Sequence, residues 1–244
     1  MLPTRLIDVV IYSTLTAIAT GIGAVPFFFA KNIARSWLGI ANAMAAGFMT
    51  AASFGLLLEG VEYGIPRTAV GIVLGVVLIA LMRRLFRDHE VHWGELDSRD
   101  SFKIISILAI MTVHSFTEGV GVGVAFGGGD AVGIYITTAI AIHNIPEGLA
   151  ISLVMVPRGT SPAKAGLWSI MSSLPQPLMA VPAYLMVELF RPTLPVGLGF
   201  AAGAMLWMVA VELVPEALHE TSRTTTAVVL GGSAIVMGII QWLL

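Results

Sequence analysis

KIISILAIMTVHSFTEGVGVGVAF, residues 103–126, and AVGIYITTAIAIHNIPEGLAISLVM, residues 131–155, are consecutive apolar stretches that carry the same polar insertion. The first reads His114-Ser115-Phe116-Thr117-Glu118-Gly119 and the second His143-Asn144-Ile145-Pro146-Glu147-Gly148, both of the form His-polar-apolar-x-Glu-Gly. Each stretch has the roughly 20 apolar residues that a helix needs to cross a bilayer core. Each His falls about 11 or 12 residues into its stretch, near mid-membrane. Helices joined by so short a link run antiparallel, so the two insertions meet at one depth. A helix turns by about 100° per residue, which puts i and i+4 on one face. His114 therefore points with Glu118, and His143 with Glu147. Ser115 and Asn144 lie three residues before each Glu and also reach it.

The rest of the chain supplies the membrane context. Of 244 residues, 57% are hydrophobic and 11% charged, and the mean hydropathy is +0.89. A soluble domain carries about 25% charged residues, so this surface is not one that water solvates. Disorder requires low hydrophobicity and high charge and is excluded. Cysteine is absent, which excludes disulfides, iron–sulfur ligation and thiolate zinc sites. Hydropathy predicts eight spans, at about 6–29, 37–58, 66–86, 103–126, 131–155, 163–187, 194–216 and 225–244. The longest link is 87–102, and the whole of 1–244 reads as one transmembrane domain. The first segment exceeds a signal-peptide core and contains Asp8 and Pro26, so it is expected to be a true span.

Basic residues sort between the two faces. Lys31, Arg35, Arg83, Arg84, Arg87, Arg99, Lys103, Arg158, Lys164 and Arg223 fall on one side, and Arg5, Arg67 and Arg191 on the other. The positive-inside rule makes the richer side cytoplasmic. An even number of spans then places both termini outside the cytoplasm, with the cell membrane as the expected location. Ala45-Ala46-Gly47-Phe48-Met49 in span two resembles Ala201-Ala202-Gly203-Ala204-Met205 in span seven, in opposite orientation. An inverted repeat of spans 1–3 and 6–8 accounts for this. So, more simply, does the ordinary use of small residues at helix contacts.

Two imidazoles and two carboxylates at the bilayer centre are tolerated only if they face one another, a polar cavity or an ion. A divalent cation answers this: imidazole supplies nitrogen and two carboxylates balance its charge. Two nitrogen and two oxygen ligands suit Zn²⁺, and also Fe²⁺, Mn²⁺, Co²⁺ or Cd²⁺. Mg²⁺ and Ca²⁺ prefer all-oxygen shells. The plain alternative is a set of interhelical His–Glu hydrogen bonds. Pro146 frees the carbonyl of residue 142 beside these ligands, and Pro175-Gln176-Pro177 breaks span six near mid-membrane. Gln176 is placed to add an oxygen to the same site, or else to fill the kink.

Glu212 and Glu216 bracket Pro215 at the cytoplasmic end of span seven, on a candidate transport path. Glu59 and Glu62 end span two on the outer side, as an entrance or as a plain helix terminus. Asp88-His89-Glu90-Val91-His92, with Glu95, Asp97 and Asp100, makes a polar cytoplasmic loop able to bind metal weakly.

These residues resemble the ZIP (Zrt-, Irt-like protein) family of divalent metal transporters over essentially the whole chain. HisAsnIleProGluGly at 143–148 is the most specific match; AlaAlaGlyPheMet with AlaAlaSerPhe in 45–54 and GluLeuValProGluAla at 212–217 add to it. The resemblance implies an all-α fold with a 3+2+3 arrangement and an inverted repeat. It also implies an often binuclear metal site between spans four and five. By position, His114, Glu118, His143 and Glu147 would hold the first metal. Ser115, Asn144 and Gln176 would help the two Glu hold a second. Some members have Asn, an acid and Glu at those three places, so here one strong site is expected. Metal moving into the cytoplasm by an elevator-like motion of spans 1, 4, 5 and 6 is the mechanism implied.

No resident cofactor and no nucleic-acid partner are expected; the metal is cargo, the bilayer is the surrounding partner, and a homodimer is compatible with the sequence. An intramembrane zinc hydrolase would need an open metal position and a general base. Neither HExxH nor GxSxG occurs. A metal sensor without transport is the third reading, and the lack of an expected soluble domain weighs against it.

Overall fold

A computed structural model describes residues 2–30, 33, 34, 36–87 and 98–243. Among them the chain is helical, with no strand. Seven helical stretches are long and apolar enough to cross a membrane: Arg5–Phe29, Ser36–Tyr63, Ile65–Met82, Asp130–Arg158, Pro162–Leu189, Arg191–Glu220 and Arg223–Leu243. The 31-residue helix Ser98–Gly128 stands between the third and fourth of these and carries the first His/Glu insertion. Counted with it in chain order, they are helices one to eight below.

The expected segments coincide with these helices, apart from their ends and their breaks. Helix two runs on to Tyr63, and helix four starts at Ser98, inside the expected 87–102 link. The loop residues Asp88, His89, Glu90, Val91, His92, Glu95 and Asp97, and also Lys31 and Arg35, lie outside the described residues. Helix one ends at Ile22 and resumes only as the short turn Pro26–Phe29. Helix six is interrupted at Leu174, between Pro162–Ser173 and Pro175–Leu189. Pro175 and Pro177 have no N–H to return to the carbonyls of Met171 and Ser173, so the interruption falls where the sequence predicts it. Pro146 is instead absorbed inside the continuous helix Asp130–Met155. In helix seven the stretch Val209–Leu213 widens to a π-helix just before Pro215. Pro215 cannot donate to the carbonyl of Val211, and the wider turn accommodates that loss. Reversals of one residue join helices two and three at Gly64 (φ 141°) and helices four and five at Gly129 (φ 147°). A Cβ would strain both.

The main packed pairs are three with seven, two with eight, four with six, one with five, two with five and four with seven. Helices one and six, two and seven, and four and five also touch. Every pair in this set has its counterpart when helices one to three are exchanged with six to eight and four with five. The glycines of the repeated motifs obey the same exchange. A methyl group on Gly148 would lie 1.6 Å from the Thr20 carbonyl oxygen in helix one, and one on Gly119 would lie 2.5 Å from that of Gln176 in helix six. Gly47 in helix two meets Leu230 and Ser233 of helix eight, and Gly203 in helix seven meets Ile72 of helix three. Backbones thus touch directly, which is how helices associate where lipid offers no hydrophobic drive.

Val9, Met49, Leu56, Ile136, Ile140, Tyr184, Leu198 and Met205 belong to one buried cluster to which all eight helices contribute. Helices three and eight are the peripheral ones, with only 22% and 17% of their most apolar windows buried.

Replacing Gly148 by Ala should lower the thermal midpoint of the purified protein by several degrees, because the new methyl meets backbone rather than a yielding side chain. Overpacking typically costs about 1–3 kcal/mol. Gly231→Ala, where a Cβ meets nothing within 4 Å, should leave the midpoint unchanged. Thermal unfolding in detergent reads both.

Candidate metal centre

Helices four and five cross with their His/Glu faces turned inward. His114, Glu118, His143 and Glu147 are all buried, with exposures of 1%, 0%, 0% and 3%. One donor atom from each of the four lies within 4.8 Å of the others. His114 Nε2 is 3.1 Å from Glu118 Oε1 and 2.9 Å from Glu147 Oε1. His143 Nε2 also contacts Glu118 Oε1. The ring centroids of the two imidazoles are 6.3 Å apart. The i, i+4 spacing therefore does what the sequence predicts, and the antiparallel pair brings two such faces to one point.

The details suit ligation. His143 Nδ1–H donates to the Ala139 carbonyl at 3.1 Å. That bond selects the tautomer whose Nε2 lone pair faces the centre, as metal-binding imidazoles require. His114 Nδ1 and Nε2 and Glu147 Oε1 are buried and form no hydrogen bond within the chain, although Nε2 lies close to two carboxylate oxygens. Buried polar atoms are almost always hydrogen-bonded, and this convergent set is one that a bound cation could complete. Two neutral imidazoles and two carboxylates form a four-ligand set of charge −2, which could hold and neutralise a +2 ion such as zinc.

Ser115, Asn144 and Gln176 are all buried beside this cluster. Gln176 does not turn its oxygen to the centre as the sequence suggests. Its Nε2 donates to Glu118 Oε2 at 2.5 Å, and its Oε1 faces Thr16 Oγ1 at 2.5 Å and Asn144 Nδ2 at 3.3 Å. The reason is electrostatic: an amide beside a carboxylate presents its donor, not its acceptor. Asn144 Nδ2 also donates to the Thr16 carbonyl at 2.9 Å. Thr16 is a participant that the motif-based reading missed. Its signal lay in the hydroxyls Ser13, Thr16 and Thr20 at helical spacing, all buried on the inner face of helix one.

Glu212, half-buried in the π-helical stretch, and Glu216, exposed one turn on, stand apart from the four-residue cluster. Glu59 is half-buried and Glu62 exposed at the end of helix two.

Comparison with known proteins agrees with this chemistry. A family model described as ZIP zinc transporter matches residues 88–241. An Arabidopsis thaliana protein named for zinc transport is 48% identical over 223 residues, which cover 90% of this chain but only 36% of the plant protein. The chain thus spans about a third of that relative's length. The zinc transporter GufA of Myxococcus xanthus is 30% identical over 84% of this chain and 86% of its own length. Zinc transporter ZIPB of Bordetella bronchiseptica is 34% identical over 90% and 76%. These relatives are named as transporters and not as enzymes, and the chain belongs to the ZIP zinc transporter family.

Proposed function

We propose that the chain carries a divalent transition-metal cation, zinc foremost, across the membrane and into the cytoplasm. His114, Glu118, His143 and Glu147 are the residues that bind it midway. The observation that carries this reading is the convergence of four buried ligand atoms from two helices at one depth. Fe²⁺, Mn²⁺, Co²⁺ and Cd²⁺ accept the same ligands and compete for them. The surplus of Lys and Arg on one side supports a cytoplasmic destination with both termini outside, and the cell membrane as the location. Glu212 and Glu216 would then lie on the release side.

Alternating access follows from an inverted repeat of helices one to three and six to eight, for which the exchange of packed pairs is the support. The moving unit in this reading is helices one, four, five and six. Arg5 in helix one reaches Asp130 at the start of helix five at 3.5 Å. Arg191, the first residue of helix seven, donates to the Gly127 carbonyl near the end of helix four at 2.6 Å. The first tie joins two members of this set; the second joins helix four to helix seven, outside it. Across the boundary glycines lie against the neighbouring helix, as where Gly121 faces Ala201, Gly197 meets Val124 and Gly55 meets Tyr135. The exposed apolar faces of helices three and eight, with Val73, Val77, Val228 and Ile235, are available to lipid or to a second copy.

Zinc should raise the unfolding temperature of the purified protein, by the equivalent of about 2.7 kcal/mol at a hundred times Kd. Glu118→Ala and His143→Ala should remove that rise. In proteoliposomes, uptake of radioactive zinc should fall by at least about tenfold in His143→Ala, since losing even a partner of a metal ligand costs about 10–100-fold. Protons and metal compete for the same lone pairs, so uptake should also weaken as pH falls from about 7 to about 5.5. Intact protein that moves no dication would contradict the proposal.

A further inference from the structure

The two halves of the metal centre are not alike. Gly119 lies against the backbone of Gln176 and Gly148 against that of Thr20, so Gln176 and Thr20 hold corresponding places beside Glu118 and Glu147. Their side chains differ in reach. Gln176 is fully buried, and its amide nitrogen donates to Glu118 Oε2. Thr20 pairs instead with Ser173, their hydroxyl oxygens 2.8 Å apart. Glu147 Oε1 has no hydrogen bond. One carboxylate is tied to the scaffold by an amide and the other has no such tie.

Gln176 is held in turn. Its Oε1 accepts from Asn144 Nδ2 and lies within reach of the Thr16 hydroxyl, whose single proton has a second acceptor in the Ser13 carbonyl at 2.7 Å. The reversed amide would set its oxygen against the Glu118 carboxylate and its NH₂ against that of Asn144. Both contacts repel, so the orientation is determined by the network.

We propose that Gln176 is a positioning residue that makes this a single-ion centre. Held by Thr16 and Asn144, it engages Glu118 Oε2 and leaves Oε1 to face His114 and His143. This rests on the metal centre proposed above. Two carboxylates neutralise one dication, and a second would leave uncompensated positive charge in the bilayer core. Asn144 Oδ1 is buried and unbonded, but it is one neutral oxygen and adds no charge.

The test uses the full chain. Zinc bound to detergent-purified protein is counted by elemental analysis, after subtracting that bound to a His114→Ala/His143→Ala double variant. KM and maximal rate for zinc are measured in proteoliposomes. The expected count is one ion for the native chain and two for Gln176→Glu, which replaces the donor with a third carboxylate. Gln176→Ala should raise KM by about tenfold, within the range seen when a ligand loses its hydrogen-bond partner, and should change the maximal rate less. Thr16→Val, which keeps the shape and removes the hydroxyl, should shift KM the same way by a smaller factor, and it decides the matter if Gln176→Ala does not fold. Two ions on the native chain, one ion on Gln176→Glu, or an unchanged KM in the folded variants would overturn the proposal. Native protein that binds no zinc at all would overturn the proposed function instead.

Discussion

Four ionisable side chains buried inside a bundle of membrane-crossing helices are the constraint around which this structure is organised. Each would be costly alone, and none is alone. His114 lies between Glu118 and Glu147, and His143 lies against Glu118. The mutual pairing makes the site tolerable without an ion. Two carboxylates with two imidazoles also have the charge and donor atoms that a dication would need. In the proposed function, folding and binding draw on the same contacts, which is usual for metal sites.

Helix contact distance follows from that constraint. Two ligand faces converge only if their helices approach closely, and the other helices must close round them to exclude lipid. Glycine makes this contact at the sites that matter most: Gly119 and Gly148 sit one residue after the two ligand carboxylates and lie directly on the backbones of helices six and one. Ligand and contact residue are therefore adjacent in sequence. The motif His-polar-apolar-x-Glu-Gly encodes a buried His/Glu face and the glycine on which a neighbouring helix packs.

Much of this was legible in the sequence. The helical class followed from hydropathy, the inward faces from i, i+4 spacing, and the break in helix six from Pro175 and Pro177. The meeting of His114, Glu118, His143 and Glu147 followed from duplication at matched depth. What stayed hidden depended on three-dimensional neighbours. Thr16 carries no motif, and its role appears only once helix one lies beside helices five and six. The orientation of Gln176 was hidden for a related reason: an amide is both donor and acceptor, and only the adjacent Glu118 decides which end faces the centre. The π-helical widening at Val209–Leu213 was likewise not written in hydropathy, which does not distinguish a π turn from an α turn, although Pro215 marked the place.

The central claim is that two imidazoles and two carboxylates share one ion. X-ray absorption spectroscopy at the zinc edge, on zinc-loaded protein with His89 and His92 replaced by Ala, tests it most directly. One ion shared by these side chains gives a shell of about four nitrogen and oxygen ligands at about 2.0–2.2 Å, with the outer-shell scattering of two imidazoles and no zinc–zinc vector. A shell without imidazole scattering, unchanged in His143→Ala, would contradict it.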